Sequence, residues 1–384
     1  MIRKHLIVAA ALVMGSAGAA SAALSGPDLT SNKMVRTLTN SAACGPNNTL
    51  ITVPLSKTGF TCVHTAADGA DLAGSRYAAA ARIKPAAAKV PCYGDGTTGP
   101  RIQVIYGYHD GIPNRTKAVV QEFRTQKAPR MQAVINAQSL GQDLGLRFAW
   151  TKGCGAIDVK TIKFPRLTQF DEDGVPRDHG AQIGRVINTL TAMGLTRSDR
   201  KYMLLWDGFS PPLGGSSVVC GIAELRPGGV PKSPLSEGVP TAGGRTPVDL
   251  GDASFLVSKY SMTFRSGGGP NGVNCAGSGM STVSTQLHEL LHNLGAVQDD
   301  APHADRGHCT DAPSVMCGGG VEGYGSFAPI KACEKVLVQT LDCGMDDYWN
   351  PSPRAGSYLS TALNIAKSQF FGPQPQDLLA PSPL

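Results

Sequence analysis

The sequence predicts a mixed α/β (α+β) fold in which helices pack on a twisted sheet. Segments with the apolar pattern of strands alternate along the chain with segments of helical periodicity, in the order strand, helix, strands, helix, strands, helix. The last of these helices, around His288, has leucines on one face, as expected for a helix held against a core. A length of 384 residues suits one large domain or two smaller ones.

The first predicted strand covers residues 101–108, where Ile102, Val104 and Tyr106 alternate with other residues. A helix is expected over residues 116–140, in which Pro129 suits a first helical turn. The other elements are predicted from their apolar spacing: strands at 146–150, 157–164, 202–206, 218–225 and 255–260, and helices at 179–193, 329–341 and 356–369. The Pro/Gly-rich residues 226–250 are expected to form a surface loop.

Residues 1–22 have the pattern of a secretory signal peptide. Arg3 and Lys4 give a basic start, a short apolar run follows, and small residues at Ala20-Ser21-Ala22 predict cleavage near Ala22–Ala23. The apolar run is too short to span a bilayer comfortably. We therefore expect a secreted chain with no membrane attachment after signal cleavage.

Four further segments are predicted behind the signal peptide. Residues 23–65 form a small N-terminal segment or a propeptide, and residues 66–90 form an Ala-rich linker without a regular apolar period. The main domain covers residues 91–371. The Pro-rich tail, residues 372–384, is expected to be disordered.

The charge balance does not suggest nucleic-acid binding. The chain has 35 Lys+Arg and 29 Asp+Glu residues, and loss of Arg3 and Lys4 with the signal peptide leaves a net charge of about +4. No dense block of Lys and Arg is present. The sequence carries no signal that specifies an oligomeric state.

All ten cysteines lie behind the signal peptide, and an even number in an exported chain predicts five disulfides. Proximity in sequence favours five pairs: Cys44–Cys62, Cys92–Cys154, Cys220–Cys275, Cys309–Cys317 and Cys333–Cys343. A thiolate zinc site is the rival interpretation, but the chain contains no CxxC pair.

The strongest chemical signal is the string His-Glu-Leu-Leu-His. It places His288 and His292 four residues apart, on one arc of a helix beside its leucine face. Two imidazoles at this spacing can bind one metal ion, which indicates a Zn²⁺ site. Glu289 adjoins these ligands and is placed to take a proton from a zinc-bound water. The alternative, a core helix whose histidines bind no metal, fits the sequence less well, because leucines already fill the face that packs against the core.

This pattern resembles that of the metzincins, which are zinc metalloendopeptidases with an HExxHxxGxxH or D motif and a later methionine turn. The matching residues are His288, Glu289, His292, Gly295 and, in Ser314-Val315-Met316, the candidate methionine turn. The resemblance implies a zincin-like mixed sheet, a smaller C-terminal subdomain and a hydrophobic floor beneath the zinc formed by Met316. Some metzincins have a tyrosine two residues after the methionine, and here that position is Gly318.

The third zinc ligand must come from beyond the helix, and four residues are candidates. Gln298 has the spacing of the metzincin ligand, but a neutral amide is a poor zinc ligand. Asp299 has acceptable chemistry one residue later, whereas His303 offers the preferred imidazole at the cost of a longer loop. We predict His303 as the third ligand, with Asp299 as the second choice and His308 as the third.

Together these features predict a secreted zinc-dependent endopeptidase that acts on a polypeptide substrate through a zinc-bound water activated by Glu289. Two other classes stay open. One is a catalytically inactive zincin-fold module for binding or adhesion, against which the intact Glu289 argues. The other is a zinc hydrolase of a non-protein substrate, such as a peptide–glycan crosslink.

Overall fold

The computed structural model describes residues 24–25, 37–39, 48–52, 60–64, 88–209, 212–214, 217–225, 259–266, 281–298, 300–305, 307–311, 314–317 and 340–373. Before residue 88 the description is limited to the backbone of short strands. The predicted signal peptide, most of the linker and residues 374–384 of the tail lie outside the described residues.

Strands of β-structure occur throughout the described residues. In chain order they are β1 Leu24–Ser25, β2 Thr37–Thr39, β3 Asn48–Thr52, β4 Phe60–His64, β5 Arg101–His109, β6 Gly145–Leu146, β7 Val159–Phe164, β8 Arg200–Phe209, β9 Pro212–Gly214, β10 Ser217–Val218, β11 Gly221–Leu225, β12 Tyr260–Ser266, β13 Ala304–Asp305, β14 His308–Cys309 and β15 Phe371–Gly372.

The same part of the chain contains four α-helices: α1 Thr116–Glu122, α2 Ala128–Ala137, α3 His179–Ala192 and α4 Ser281–Leu294. A π-helical turn, Phe123–Lys127, lies between α1 and α2. Pro129 occupies the first turn of α2, where the missing N–H of proline is not needed for helical bonding.

The centre of the molecule is a mostly parallel five-stranded sheet in the order β7-β5-β8-β12-β11. The first four strands run parallel, and β11 runs antiparallel to β12. All residues of β5 are buried, which is typical of a parallel sheet covered by helices on both faces. The predicted mixed α/β class is therefore confirmed.

Side chains of alternating strand positions supply two cores, one on each face of this sheet. On one face, Ile105, Leu204 and Met262 lie on neighbouring registered strands and share a core with residues of α3. On the other face, Val104 and Tyr106 share a core with residues of α1, α2 and α4. Helix α4 is thus held against the sheet by apolar burial, which is the dominant favourable term in folding.

Three N-terminal strands continue the sheet beyond β11. The strands β2, β3 and β4 form an antiparallel meander, and β4 pairs with the end of β11 through Val63↔Glu224 and Cys62↔Leu225. Strand β1 pairs in parallel with β7 at the opposite edge. Residues 23–65 therefore contribute strands to the same sheet as the main domain.

Several predicted elements are confirmed and others are corrected. Strand β5 and helix α3 match the predicted segments 101–108 and 179–193 closely. Of the strand predicted at 255–260, residues 255–258 lie outside the described residues, and Tyr260 begins β12, in which Tyr260, Met262 and Phe264 alternate and are buried. The predicted strand at 146–150 is reduced to β6 with isolated bridges at Phe148 and Trp150.

The helix predicted at 356–369 is wrong, because this segment contains only two 3₁₀ turns, Tyr358–Ser360 and Ile365–Lys367. Polar side chains compete here for the backbone groups that a helix needs. The Asn364 carboxamide accepts from the N–H groups of Asn350 and Ala366. Gly372, predicted to begin a disordered tail, instead pairs with Gly145 in β15.

Two of the predicted disulfides are present among the described residues: Cys92–Cys154 and Cys309–Cys317. Cys220 and Cys343 are also disulfide-bonded. Their predicted partners, Cys275 and Cys333, lie outside the described residues, as do Cys44 and the side chain of Cys62. The loop predicted at 226–250 and most of the helix predicted at 329–341 lie outside them as well.

Among the described helices, none has both the length and the apolar character needed to cross a bilayer.

Candidate metal centre

Helix α4 carries the HExxH string, and its leucines fix its rotation. Leu287, Leu290, Leu291 and Leu294 are at most 1% exposed and belong to the core between α4 and the sheet. Because residues three and four apart share one face of a helix, this apolar face directs His288 and His292 to the adjacent arc. The predicted leucine face is confirmed.

Gly295 ends helix α4 in the left-handed conformation, with φ of 94°. Its N–H donates to the carbonyl of His292, and the N–H of Ala296 donates to that of Leu291, at 3.0 and 3.1 Å. These two bonds form a Schellman motif, which favours glycine because a side chain would be strained at this φ. The chain is thereby turned back beneath the histidines of α4.

Three histidine rings converge at this end of the helix. His292 Nε2 lies 3.0 Å from His288 Nε2 and 3.3 Å from His308 Nε2. All three side chains are buried, with exposed fractions between 1% and 4%. Nitrogens bound to one Zn²⁺ at about 2.0–2.1 Å in tetrahedral geometry lie about 3.4 Å apart. The group can therefore hold a metal ion with little rearrangement.

The outer ring nitrogens of two of these histidines contact main-chain carbonyls. His288 Nδ1 lies 2.8 Å from the carbonyl oxygen of Val315, and His292 Nδ1 lies 3.2 Å from that of Ala296. Because a carbonyl oxygen only accepts, Nδ1 is the donor in each ring. The inward Nε2 atoms then carry lone pairs, which is the tautomer that a metal ligand requires.

His308 reaches the centre on a two-stranded hairpin that sequence reasoning missed. Strands β13 and β14 pair through Ala304↔Cys309 and Asp305↔His308, and Gly307 adopts φ of 82° in the turn. A two-residue hairpin loop requires positive φ, which glycine adopts without strain. In the sequence, the feature that could have indicated this hairpin is Gly307, at the second loop position of Asp305-Arg306-Gly307-His308.

The structure places His303, the predicted third ligand, apart from His288 and His292, and it brings His308, the third choice, to them. His303 precedes the hairpin and lies in a separate group with Asp311, Asp346 and Asp347. The physical reason is the reversal at Gly307, which returns the chain toward α4 only after His303 has passed. Gln298, at the metzincin spacing, is buried outside the histidine group, and Asp299 lies outside the described residues.

Glu289 is fully buried on α4, next to His288 and against the start of β11. A side chain on Gly221 would place its Cβ 2.6 Å from Glu289 Cγ and 2.7 Å from Thr285 Cγ2. These distances are too short for real contacts. Glycine at position 221 therefore lets β11 approach the glutamate closely.

Residues 314–317 form a turn behind His288. The N–H of Cys317 donates to the carbonyl of Ser314 at 3.2 Å, and the Cys309–Cys317 disulfide joins the turn to β14. Met316 is fully buried within the apolar core. Its N–H donates to the hydroxyl oxygen of Tyr348 at 3.4 Å, and burial raises the pKa of Tyr348 well above its usual value.

Two further residues hold the end of α4 on the sheet. The Asn293 carboxamide donates to the carbonyls of Glu224 and Tyr260 at 2.7 and 3.2 Å, which links the helix to β11 and β12. Lys201 on β8 is fully buried and donates from Nζ to the Asn293 carbonyl at 2.7 Å. Burial lowers the pKa of this lysine to about 7. Both residues position the helix that carries Glu289.

A third group of potential ligands, Cys309, Asp311 and Cys317, offers no thiolate because its sulfurs form a disulfide.

Comparison of the chain with protein families, curated proteins and solved structures found no match. The chemistry of this centre is therefore argued from its own side chains. Three imidazoles and one buried carboxyl group make up a set of side chains suited to a divalent ion and a general base.

Proposed function

We propose that the chain is a secreted zinc-dependent endopeptidase of the metzincin type. The observation that carries the proposal is the convergence of His288, His292 and His308, whose Nε2 atoms are 3.0–3.3 Å apart along the group, beside buried Glu289. Three protein ligands are the number that a catalytic zinc site uses, since its fourth position stays open. A structural zinc site would close that position with a fourth protein ligand.

Imidazole nitrogens suit Zn²⁺ better than Mg²⁺ or Ca²⁺, which prefer oxygen ligands. When bound, Zn²⁺ supplies Lewis-acid polarisation of the attacking water and of the scissile carbonyl. His288, His292 and His308 would hold the ion through Nε2. The main-chain carbonyls of Val315 and Ala296 keep the rings of His288 and His292 in the matching tautomer.

Glu289 acts as general base and then as general acid. Its carboxylate takes a proton from water as the water oxygen attacks the carbonyl carbon of the peptide bond. The same carboxyl group then gives that proton to the amine nitrogen as the carbon–nitrogen bond breaks. Because Glu289 follows His288 directly in α4, the helix that carries two of the ligands also carries the base.

The departure from the metzincin pattern is the position of the third histidine. His308 lies ten residues beyond Gln298, which has the metzincin spacing. The β13–β14 hairpin explains how the longer segment can still present an imidazole to the same centre. Secretion is part of the proposal, because the disulfides Cys92–Cys154 and Cys309–Cys317 are stable in an oxidising compartment.

The test is hydrolysis of casein or gelatin by the purified exported chain. The parent should cleave the protein substrate, lose activity with a zinc chelator and recover it when zinc is restored. The matched variant is Glu289→Gln, which preserves size but cannot act as a base. It should keep its zinc and lose at least about 10²-fold in activity.

Three results would contradict the proposal. Binding of zinc by the parent without cleavage of any polypeptide would favour the inactive binding module. Cleavage of a peptide–glycan crosslink, but not of casein or gelatin, would favour the non-protein hydrolase. Full proteolytic activity of Glu289→Gln would exclude the assigned general base.

A further inference from the structure

A second set of ligand-type side chains surrounds His303, and we call it the His303–acid cluster: His303, Asp311, Asp346 and Asp347. One donor atom from each residue lies within 4.8 Å of the donors of the others. His303 Nδ1 is 3.3 Å from Asp347 Oδ1, 3.7 Å from Asp346 Oδ1 and 3.9 Å from Asp311 Oδ2. The cluster shares no residue with the three-histidine group.

Burial makes this arrangement costly for the protein alone. Asp311 and Asp347 are 0% and 1% exposed. Four atoms, Asp311 Oδ2, Asp347 Oδ2, Asp346 Oδ1 and His303 Nδ1, find no hydrogen-bond partner among the residues that the structure describes. Buried polar groups normally have such partners, and three adjacent carboxylates also repel one another. A bound cation would remove both costs.

Burial and the charges of Asp347 and Asp342 raise the pKa of Asp311 to about 8. Burial also raises the pKa of Asp347. The N–H group and the ring of His303 act in the opposite direction on the pKa of Asp347. Asp342 supports the cluster from behind, because its Oδ2 accepts from the N–H groups of Asp347, Tyr348 and Trp349. This turn holds the adjacent acids in place before any ion binds.

We propose that the His303–acid cluster is a second cation site, specific for a borderline divalent ion of the Zn²⁺ or Mn²⁺ class. The imidazole nitrogen disfavours Ca²⁺ and Mg²⁺, whose ligands are oxygens. The three carboxylates more than balance a double positive charge. Donors bound to one such ion lie about 3.0–3.4 Å apart. The separations of 3.3–3.9 Å between His303 Nδ1 and the carboxylate oxygens need only a small contraction, and all donor atoms of the group already lie within 4.8 Å of one another.

The site would tie the His308 hairpin to the C-terminal part of the domain. His303 directly precedes β13, and its N–H donates to Asp347 Oδ1 at 2.8 Å. Asp311 follows β14, whereas Asp346 and Asp347 belong to the turn after Asp342. An ion held by all four residues would therefore fix both ends of the hairpin. This inference is independent of the catalytic proposal, since it concerns ion content and stability.

The test is metal analysis of the full exported chain after equilibration with Zn²⁺, Mn²⁺ or Ca²⁺ and removal of excess ion. With Zn²⁺ we expect two equivalents in the parent and one in Asp346→Asn, a change at the partly exposed member of the cluster. His303→Ala should also retain one equivalent. Asp300→Asn, which removes a neighbouring acid that accepts from Tyr358, is the matched control and should retain two.

A second measurement isolates the site in the His308→Ala background, where the three-histidine group is broken. Addition of Zn²⁺ or Mn²⁺ to this variant should raise its Tm. When Asp346→Asn is added, the same rise in Tm should require an ion concentration at least about 10-fold higher. Equal ion content in the parent, Asp346→Asn and His303→Ala would overturn the proposal. Occupancy by Ca²⁺ but not by Zn²⁺ or Mn²⁺ would overturn the assigned ion class.

Discussion

His288 Nδ1 lies 2.8 Å from the carbonyl oxygen of Val315, so the turn at residues 314–317 sets the orientation of a candidate metal ligand. The turn is itself attached to β14 by the Cys309–Cys317 disulfide. His308, the neighbour of Cys309, is a second candidate ligand. One covalent bond thus supports the surroundings of two of the three imidazoles.

Removal of this disulfide in Cys309→Ser/Cys317→Ser should therefore affect metal binding as well as stability. The bond closes a loop of sequence separation 8, for which the chain-entropy model gives a loss of about 2–3 kcal/mol. The apparent zinc affinity should fall about 10–100-fold, the range seen when support behind metal ligands is lost. Urea unfolding measures the loss of stability, and the zinc concentration that restores the proposed peptidase activity to the metal-free protein measures the loss of affinity.

The matched control is Cys92→Ser/Cys154→Ser, which removes a disulfide with a sequence separation of 62. The longer loop predicts a larger loss of stability, about 4 kcal/mol. This bond lies outside the three-histidine group, so the control should reactivate at the parent's zinc concentration. If both double variants shift zinc affinity equally, the effect is general destabilisation and the assigned support role is wrong.

The identity of the third ligand gives a second expected outcome. His308→Ala should lose reactivation by zinc in the concentration range of the parent, with an apparent affinity at least about 100-fold weaker. His303→Ala should keep the parent's reactivation curve more closely, because His303 lies outside the three-histidine group. Reactivation reports binding of the ion on which activity depends, whereas ion content counts every bound ion. The opposite ranking of the two variants would restore His303 as the ligand.

The contrast between His303 and His308 shows which features of the site could be predicted from the sequence and which could not. The rotation of α4 could be predicted from the helical spacing of Leu287, Leu290 and Leu291. Its end could be predicted from Gly295, because glycine readily adopts positive φ. The third ligand depends on strand pairing between β13 and β14, which is a tertiary feature. Chemistry alone ranked His303 first, whereas the turn at Gly307 brings His308 to α4.

The same distinction applies to the fold. Alternation and helical spacing identified β5 and α3, because each buries its own apolar residues against a core. Nothing in the local sequence indicated that Lys201 of β8 and Asn293 of α4 hold the end of α4 on the sheet. Their hydrogen bonds join residues that are 92 and 69 positions apart in sequence. Such partners become visible only when the sheet order is known.

Lys201 gives a third expected outcome, a pH-dependent stability. Its pKa is about 7 when folded and near 10.5 when exposed, so between these values the unfolded chain binds a proton that the folded protein does not. The contribution of Lys201 to the stability of the parent should therefore rise with pH across this window, by up to about 1.4 kcal/mol per unit. Below pH 7 the full cost of burying the charged group is present.

The variant Lys201→Met removes this titration and keeps most of the side-chain volume. Its stability relative to the parent should be highest at pH 6 and should decline steadily toward pH 10. Urea unfolding at pH 6, 8 and 10 measures the difference, and Lys160→Met, at a partly exposed lysine, is the control. A difference that does not change with pH would show that Lys201 is not buried as an uncharged amine.

The last expected outcome concerns Gly221, whose missing side chain lets β11 approach Glu289. In Gly221→Ala the new Cβ would lie 2.6 Å from Glu289 Cγ and 2.7 Å from Thr285 Cγ2. Because both neighbours are close to the backbone of α4, they cannot yield as the far end of a long side chain would. The strand or the glutamate must then move, and a displacement of about 1 Å can cost about 10²-fold in rate.

The effect should appear in kcat for peptide hydrolysis, with zinc content unchanged, because Glu289 is not one of the three converging ligands. Gly155→Ala is the control, since its Cβ would meet only Thr151 Oγ1 at 3.0 Å, far along the chain from α4. Loss of zinc together with activity in Gly221→Ala would mean that the whole helix had shifted. Unchanged kcat would show that close packing of β11 against Glu289 is not needed for catalysis.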